Sequence, residues 1–221
     1  MKTIFYIISI FTFLIVATSF DADDTAKWKL EKDKNGIKIY SNVPAGETLK
    51  QVKVYTTVHA SLSSIVFLLI DVPNYPNWIY NCSGSNCLKK INKREMIYYS
   101  VAHVPWPLDN RDIVLKNEVS QNEKTKIVYS ISTPLLNIVP KKKGMIRIDD
   151  MYGKWTITPI KNGNVFIEYF IKVDVGGNVP NWIVNLFIED GPYQSILHFK
   201  ENLVLESYKN AKLSFIDEPE N

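Results

Sequence analysis

The feature that most constrains the fold is a succession of short strand-like segments that fills the middle of the chain and precedes a helical segment. Seven segments have the alternation or the β-branched and aromatic content of strands, with turn residues between them: 88–92, 95–104, 111–120, 125–132, 145–149, 154–159 and 164–174. Connections this short favour antiparallel pairing, because parallel strands need crossovers of a dozen or more residues. The pattern therefore predicts a meandering antiparallel sheet.

Two signals precede these strands. The alternation in residues 36–41 and 48–58 predicts a hairpin, and Ser61 is a candidate N-cap for a helix that ends before Pro73. The sequence contains no repeat, low-complexity tract or linker, so residues 20–221 are predicted to form one α+β domain.

The last part of the chain changes from strand to helical periodicity. Apolar residues recur at helical spacing from Trp182 to Phe187, and Gly191-Pro192 is expected to kink or break the helix before an apolar stripe continues to about residue 209. A helix that follows a sheet must cover one of its faces. Strand 164–174 has one wholly apolar face, which suits either a solid core or a ligand cavity.

The first nineteen residues have the features of a secretory signal peptide. Lys2 supplies a positive region, residues 4–16 form an apolar run, and Ala17 and Ser19 stand three and one positions before a cut ahead of Phe20. The run is shorter than the roughly 20 residues that span a bilayer; an uncleaved N-terminal anchor is the alternative. We therefore expect residues 1–19 to be removed and the protein to be exported to the periplasm or the medium.

Export affects the reading of the two cysteines, since thiols tend to pair in an oxidising compartment. Cys82 and Cys87 enclose Ser83-Gly84-Ser85-Asn86, which can turn the chain back on itself. We expect a local disulfide worth about 2 kcal/mol, and two unpaired cysteines are the alternative.

The charge balance excludes one class of partner. Lys and Arg number 26 against 23 Asp and Glu, and a dispersed net charge of +3 is too small to predict nucleic-acid binding. His59, His103 and His198 are isolated, and the sequence has no nucleophile elbow, zinc-protease motif or glycine-rich phosphate loop. We therefore predict no metal, no cofactor and no nucleic-acid partner.

Several stretches, taken together and in order, resemble the START domain family: Asp71-Val72-Pro73-Asn74-Tyr75-Pro76-Asn77-Trp78, Val104-Pro105-Trp106-Pro107-Leu108-Asp109-Asn110-Arg111-Asp112, Gly144-Met145-Ile146-Arg147, Gly153-Lys154-Trp155-Thr156-Ile157-Thr158-Pro159 and residues 176–185. The resemblance implies a helix-grip fold, in which a curved antiparallel sheet wraps a long C-terminal helix around an apolar cavity. It also implies non-catalytic binding, and possible transport, of a lipid or sterol-like molecule by a monomer that contacts membranes transiently. Related folds include cyclase or aromatase-like enzymes, so an enzyme that uses His103 on a hydrophobic substrate is the alternative.

Strand parity separates two neighbouring charged residues. Arg111 shares a face with Ile113 and Leu115 and is predicted to point inward, whereas Asp112 lies on the other face. A buried guanidinium needs a partner. Arg111 is therefore expected either to orient the polar end of a ligand or to form a structural salt bridge, with Glu95 as the candidate partner.

The other candidate ligand contacts are aromatic or apolar. Tyr99 and His103 are predicted to share one strand face, and Trp155 and Tyr169 are sheet positions that can line a cavity. A lid is predicted from three residues of the C-terminal helix, Trp182, Leu186 and Phe187. Trp106 is expected to gate the cavity or touch a membrane, or else to pack on the core, and Lys141, Lys142 and Lys143 form either an anionic-lipid contact or a solvated loop.

Overall fold

The computed structural model describes residues 28–45, 50–177, 179 and 189–220. Within these ranges one open sheet contains ten strands: β1 Lys29–Lys34, β2 Ile37–Asn42, β3 Gln51–His59, β4 Cys82–Lys90, β5 Glu95–Ala102, β6 Asn110–Gln121, β7 Val128–Pro134, β8 Met145–Arg147, β9 Met151–Pro159 and β10 Asn164–Val173. The spatial order is β1-β2-β3-β10-β9-β7-β6-β5-β4, with antiparallel neighbours throughout, and β8 pairs in parallel with the start of β6. The predicted antiparallel sheet is confirmed.

Three helical segments lie between β3 and β4 in the chain, and two described helices follow β10. They are α1 Leu62–Ile70, a 3-10 turn Val72–Asn74, α2 Tyr75–Trp78, α3 Gly191–Leu203 and α4 Glu206–Lys209. Ser61 caps α1 as predicted, since its hydroxyl accepts a hydrogen bond from Ser64 N at 3.0 Å. No helix in the described part of the chain is long and apolar enough to cross a membrane.

Helix α3 begins at the predicted break. Gly191 is its first residue and Pro192 lies in its first turn, where a proline is tolerated because the N–H groups have no intrahelical partner. The helix then packs against α1, α2, β2 and β3. Ile196 and Tyr193 lie against β2 and β3, and Phe199, fully buried, lies against Trp78 and Trp155.

The predicted disulfide between Cys82 and Cys87 is wrong. Both thiols are free, and both residues lie in strand β4, paired opposite Ala102 and Tyr98 of β5. They are five positions apart along an extended strand, which places their Cα atoms about 16 Å apart, beyond the roughly 7 Å that a disulfide allows. The residues between them form extended strand and not a turn, with one irregularity in strand pairing between Cys82 and Gly84 and a second one further on, between Cys87 and Lys89.

Candidate ligand-binding cavity

A cavity of about 240 Å³ lies between the sheet and the first turns of α3. Its walls come from α2, β5, β6, β7, β9, β10 and α3, so elements far apart in sequence enclose it. The sequence was compatible with either a solid core or a ligand cavity, and the structure has a cavity. Its volume is slightly below the roughly 300–1,000 Å³ of typical small-molecule sites.

Aromatic rings form much of the wall. Trp155 stacks on Tyr169 with ring centroids 4.5 Å apart, and Trp78 meets Trp155 edge-on at 6.3 Å. The two predicted aromatic positions, Trp155 and Tyr169, thus lie at the cavity. Burial raises the pKa of Tyr169 well above its ordinary value, so its hydroxyl stays protonated and the wall stays neutral.

Arg111 points inward from β6 as parity predicted, and only 1% of its surface is exposed. Its guanidinium donates to three main-chain carbonyls, those of Asp109 at 2.5 Å, Val175 at 3.2 Å and Gly176 at 3.4 Å. Burial lowers the pKa of Arg111, and the nearby Asp109 carboxylate opposes that shift. Arg111 is not among the residues that line the cavity; it joins the loop before β6 to the loop after β10.

Glu95 is not the partner of Arg111. The β5–β6 register places Glu95 opposite Glu118 and Arg111 opposite Ala102, so the two residues lie at opposite ends of the strand pair. The Glu95 carboxylate instead lies 3.5 Å from Lys116 Nζ, on the outer face. The alternation of side chains along β6 correctly predicted that Arg111 points inward. The partner of Arg111 depends on the register between strands, which this alternation does not determine.

The buried ion pair of this region belongs to Asp112. Its two carboxylate oxygens accept hydrogen bonds from Arg147 Nε at 2.8 Å and Nη2 at 3.0 Å, and Tyr99 donates to the same carboxylate at 2.9 Å. Burial acts to raise the pKa of Asp112, but the Arg147 and Tyr99 hydrogen bonds and the Arg147 charge outweigh it, so the net pKa is lowered. Tyr99 is therefore turned away from the cavity, and its neighbour Tyr98 lines it.

The remaining candidates divide among three places. His103 lies just beyond the end of β5 and lines the cavity. Trp106, in the loop between β5 and β6, is 91% exposed, which contradicts packing on the core. The predicted lid residues Trp182, Leu186 and Phe187 lie outside the described residues.

Comparison with known proteins identifies the family. A family profile described as START domain matches residues 21–203, which is most of the chain. The chain belongs to the START domain family. The resemblance seen in the sequence and the helix-grip architecture are both confirmed.

Several of the named START relatives are lipid transfer proteins. The rat phosphatidylcholine transfer protein is 28% identical over 178 residues, covering 75% of this chain and 78% of the relative. An uncharacterized protein of Pseudomonas aeruginosa is 28% identical, covering 76% of this chain and 83% of the relative. Among solved structures, a STAR-related lipid transfer protein fragment from Xanthomonas axonopodis has a TM-score of 0.74 at 25% identity, covering 81% of this chain and 99% of that one.

Sequence reasoning missed the polar residues of this START cavity. Asn117, Ser130 and Ser132 line it from β6 and β7, and Ser100 lines it from β5. One signal was present in the sequence, because Asn117 continues the Arg111, Ile113, Leu115 row of β6. An amide in an otherwise apolar inward row indicates either a buried network or a ligand contact.

Proposed function

We propose that this START domain protein encloses a lipid in the cavity under α3 and carries it without changing it covalently. The observation that carries the proposal is the cavity itself, which is walled mainly by aromatic and aliphatic side chains in a chain several of whose named relatives are lipid transfer proteins. Transfer of apolar surface from water into such a site is favourable by about 25 cal/mol per Å², so the apolar part of the wall favours a hydrophobic ligand.

Native mass spectrometry of the purified protein, followed by organic extraction, tests this proposal. We expect a mass above that of the polypeptide, released only on denaturation, and a lipid in the extract. Lipid recovered unchanged after prolonged incubation with the protein supports carriage, whereas a modified product would favour a cyclase-like activity at His103. An empty protein that takes up no lipid from a panel would contradict the proposal.

A cavity-filling variant links binding to this site. Gly153 is buried in the wall, and a Cβ there would come within 2.9 Å of Met151 Cε, the flexible end of a side chain, and 3.8 Å of the Tyr169 hydroxyl. Gly153→Leu should therefore displace most of the co-purified lipid. Thr158→Leu adds apolar volume to the outer face of the same strand and should leave lipid content unchanged; equal loss in both variants would refute the assignment to this cavity.

We also propose that the loop carrying Trp106 touches membranes during loading. Loop 135–144 ends where β8 pairs with the start of β6, close in the sheet to the loop that contains Trp106. In this loop Leu136 is 56% exposed and Ile138 is 50% exposed, and the three consecutive lysines 141–143 follow them. A basic cluster beside exposed apolar side chains suits an anionic bilayer surface, at about 1 kcal/mol per cation.

Vesicle co-sedimentation tests this contact. Trp106→Ala should weaken binding to vesicles that contain anionic lipid, while Val204→Ala, an exposed apolar residue just after the far end of α3, should not. Because Trp106 is almost fully exposed, its replacement should leave thermal stability within about 0.5 kcal/mol of the wild type. Equal vesicle binding by both variants would exclude the loop as the contact.

A further inference from the structure

Three polar side chains of the cavity wall form a hydrogen-bonded cluster. Asn117 on β6 lies opposite Ser132 on β7 in the sheet register, and Ser130 is two residues earlier on the same face. Asn117 is 3% exposed and Ser130 is 2% exposed, and both line the cavity with Ser132. These three residues are called the Asn117 cluster below.

The hydrogen bonds of this cluster leave one strong acceptor without a partner. Asn117 Nδ2 contacts Ser130 Oγ at 2.8 Å, Ser132 Oγ at 3.1 Å and the Ile131 carbonyl at 3.3 Å. A carbonyl only accepts, so the amide nitrogen must face Ile131 and the orientation of the amide follows. Asn117 Oδ1 is buried and has no hydrogen-bond partner in the protein.

An unpaired buried amide oxygen is costly, at about 1–3 kcal/mol, and such atoms are rare in folded proteins. Asn117 lines the cavity and its Oδ1 has almost no accessible surface, so a small turn of the side chain is needed to bring this acceptor to a donor inside the cavity. The partner must donate a hydrogen, so a hydroxyl group fits, whereas a carboxylate, an ether or an ester oxygen does not. A second unpaired polar atom, Trp78 Nε1, belongs to another residue of the same wall.

Charge selects among the ligands that carry a hydroxyl. None of the described residues that line the cavity is Asp, Glu, Lys or Arg. Arg111 is engaged by main-chain carbonyls, and the Asp112–Arg147 pair lies on the other face of β6. A phosphate or ammonium group enclosed among these residues would lose its hydration without gaining a counter-charge, which is strongly unfavourable.

We propose that the enclosed ligand is an uncharged lipid alcohol whose hydroxyl donates to Asn117 Oδ1. The proposal rests on the lipid-binding function proposed above and narrows it to one ligand class. It separates this protein from the phosphatidylcholine transfer proteins among its relatives, whose named ligand carries both charges.

Calorimetric titration of the delipidated protein with matched probes tests this assignment. Decan-1-ol, its methyl ether, undecane and decanoate are similar in length, but only the alcohol is both uncharged and a donor. We expect the alcohol to bind roughly two- to twelvefold more tightly than the ether, the range that one net hydrogen bond of about 0.5–1.5 kcal/mol gives. Decanoate should bind more weakly than the alcohol at neutral pH.

Variants then place the hydroxyl contact. Asn117→Leu should remove the preference for alcohol over ether, whereas Thr133→Ala, an exposed position next to Ser132 on the outer face of β7, should keep it. If Asn117→Leu does not fold, the probe series on the wild-type protein still decides the question. An alcohol that binds no more tightly than its ether overturns the proposal and indicates that Asn117 Oδ1 takes only an internal water.

The outcomes also separate this inference from the broader function. If no probe binds and tryptophan emission from the cavity wall does not change, lipid binding itself fails. If undecane, ether and alcohol bind equally, lipid binding stands and only the alcohol assignment is lost. Tight binding of phosphatidylcholine with its headgroup enclosed would likewise refute the uncharged class while supporting carriage.

Discussion

Replacement of Asp112 by leucine should destabilise the fold by more than any exposed charge substitution. Asp112 and Arg147 form a two-pronged ion pair whose side chains are 1% and 4% exposed. Removing one partner of such a pair strands the other charge, at a cost of about 3–5 kcal/mol. For a domain of this size each kcal/mol lowers Tm by roughly 2–4 °C, so Asp112→Leu should lower Tm by roughly 6–20 °C.

Urea denaturation followed by circular dichroism measures this loss, and two further variants make it specific. Asp149→Leu breaks the exposed Lys141–Asp149 pair, whose atoms are 2.9 Å apart, and should cost less than about 1 kcal/mol. The double variant Asp112→Leu with Arg147→Met removes the stranded charge and should recover part of the stability. A loss below about 1 kcal/mol in Asp112→Leu, or a double variant no better than the single one, would refute the reasoning.

The same pair predicts a pH dependence. The folded-state pKa of Asp112 is lowered relative to its ordinary value, so the unfolded chain binds the proton more readily. Its contribution to stability is complete above the unfolded-state pKa of about 3.9 and is lost as the pH falls through the lower folded-state pKa. Below about pH 4 the free energy of unfolding of the wild type should therefore decline by a component that Asp112→Leu lacks.

Three further outcomes are expected. Arg111→Leu should increase amide hydrogen exchange around Val175, because the guanidinium bonds that hold this loop are lost; unchanged exchange would show that the loop is held by other contacts. In the native protein a thiol reagent should alkylate the exposed Cys87 and spare the buried Cys82, with two thiols titrating after denaturation; fewer than two would restore the disulfide. We propose that export removes residues 1–19, so the mature chain should begin at Phe20 by intact-mass analysis, and a retained Met1 would favour an uncleaved anchor.

The periodic parts of the fold were predictable because each rests on local chemistry. Strand 164–174 was predicted within one residue of β10, Asn164–Val173, since its alternation matches a sheet with one apolar face. Ser61 was identified as an N-cap because its hydroxyl has a local backbone donor to satisfy. The alternation of side chains along a strand likewise placed Arg111 on the inward face of β6.

The errors concern relations between strands. Tyr99 was assigned to the cavity and Glu95 was chosen as the partner of Arg111, but both faces of β5 contain apolar residues. Which face points inward is decided by pairing with β6, where Tyr98 lies opposite Leu115 and Tyr99 lies opposite Val114. A shift of one residue exchanges all the side chains that point inward for those that point outward. The sequence of one strand does not determine which of the two arrangements occurs.

The Asn117 cluster shows how the same limit conceals a binding site. Asn117 is only one polar residue in an inward row, and the serines that meet its amide belong to the next strand. The serine hydroxyls accept hydrogen bonds from Asn117 Nδ2, and Asn117 Oδ1 is left unpaired. This arrangement exists only when both strands are in register. In a fully packed core an unsatisfied acceptor would destabilise the fold. Beside a cavity, the same acceptor favours binding of a molecule that donates a hydrogen bond to it. Stability and ligand choice are therefore coupled at Asn117, since a bound alcohol adds to the free energy of unfolding in proportion to the logarithm of its concentration over Kd.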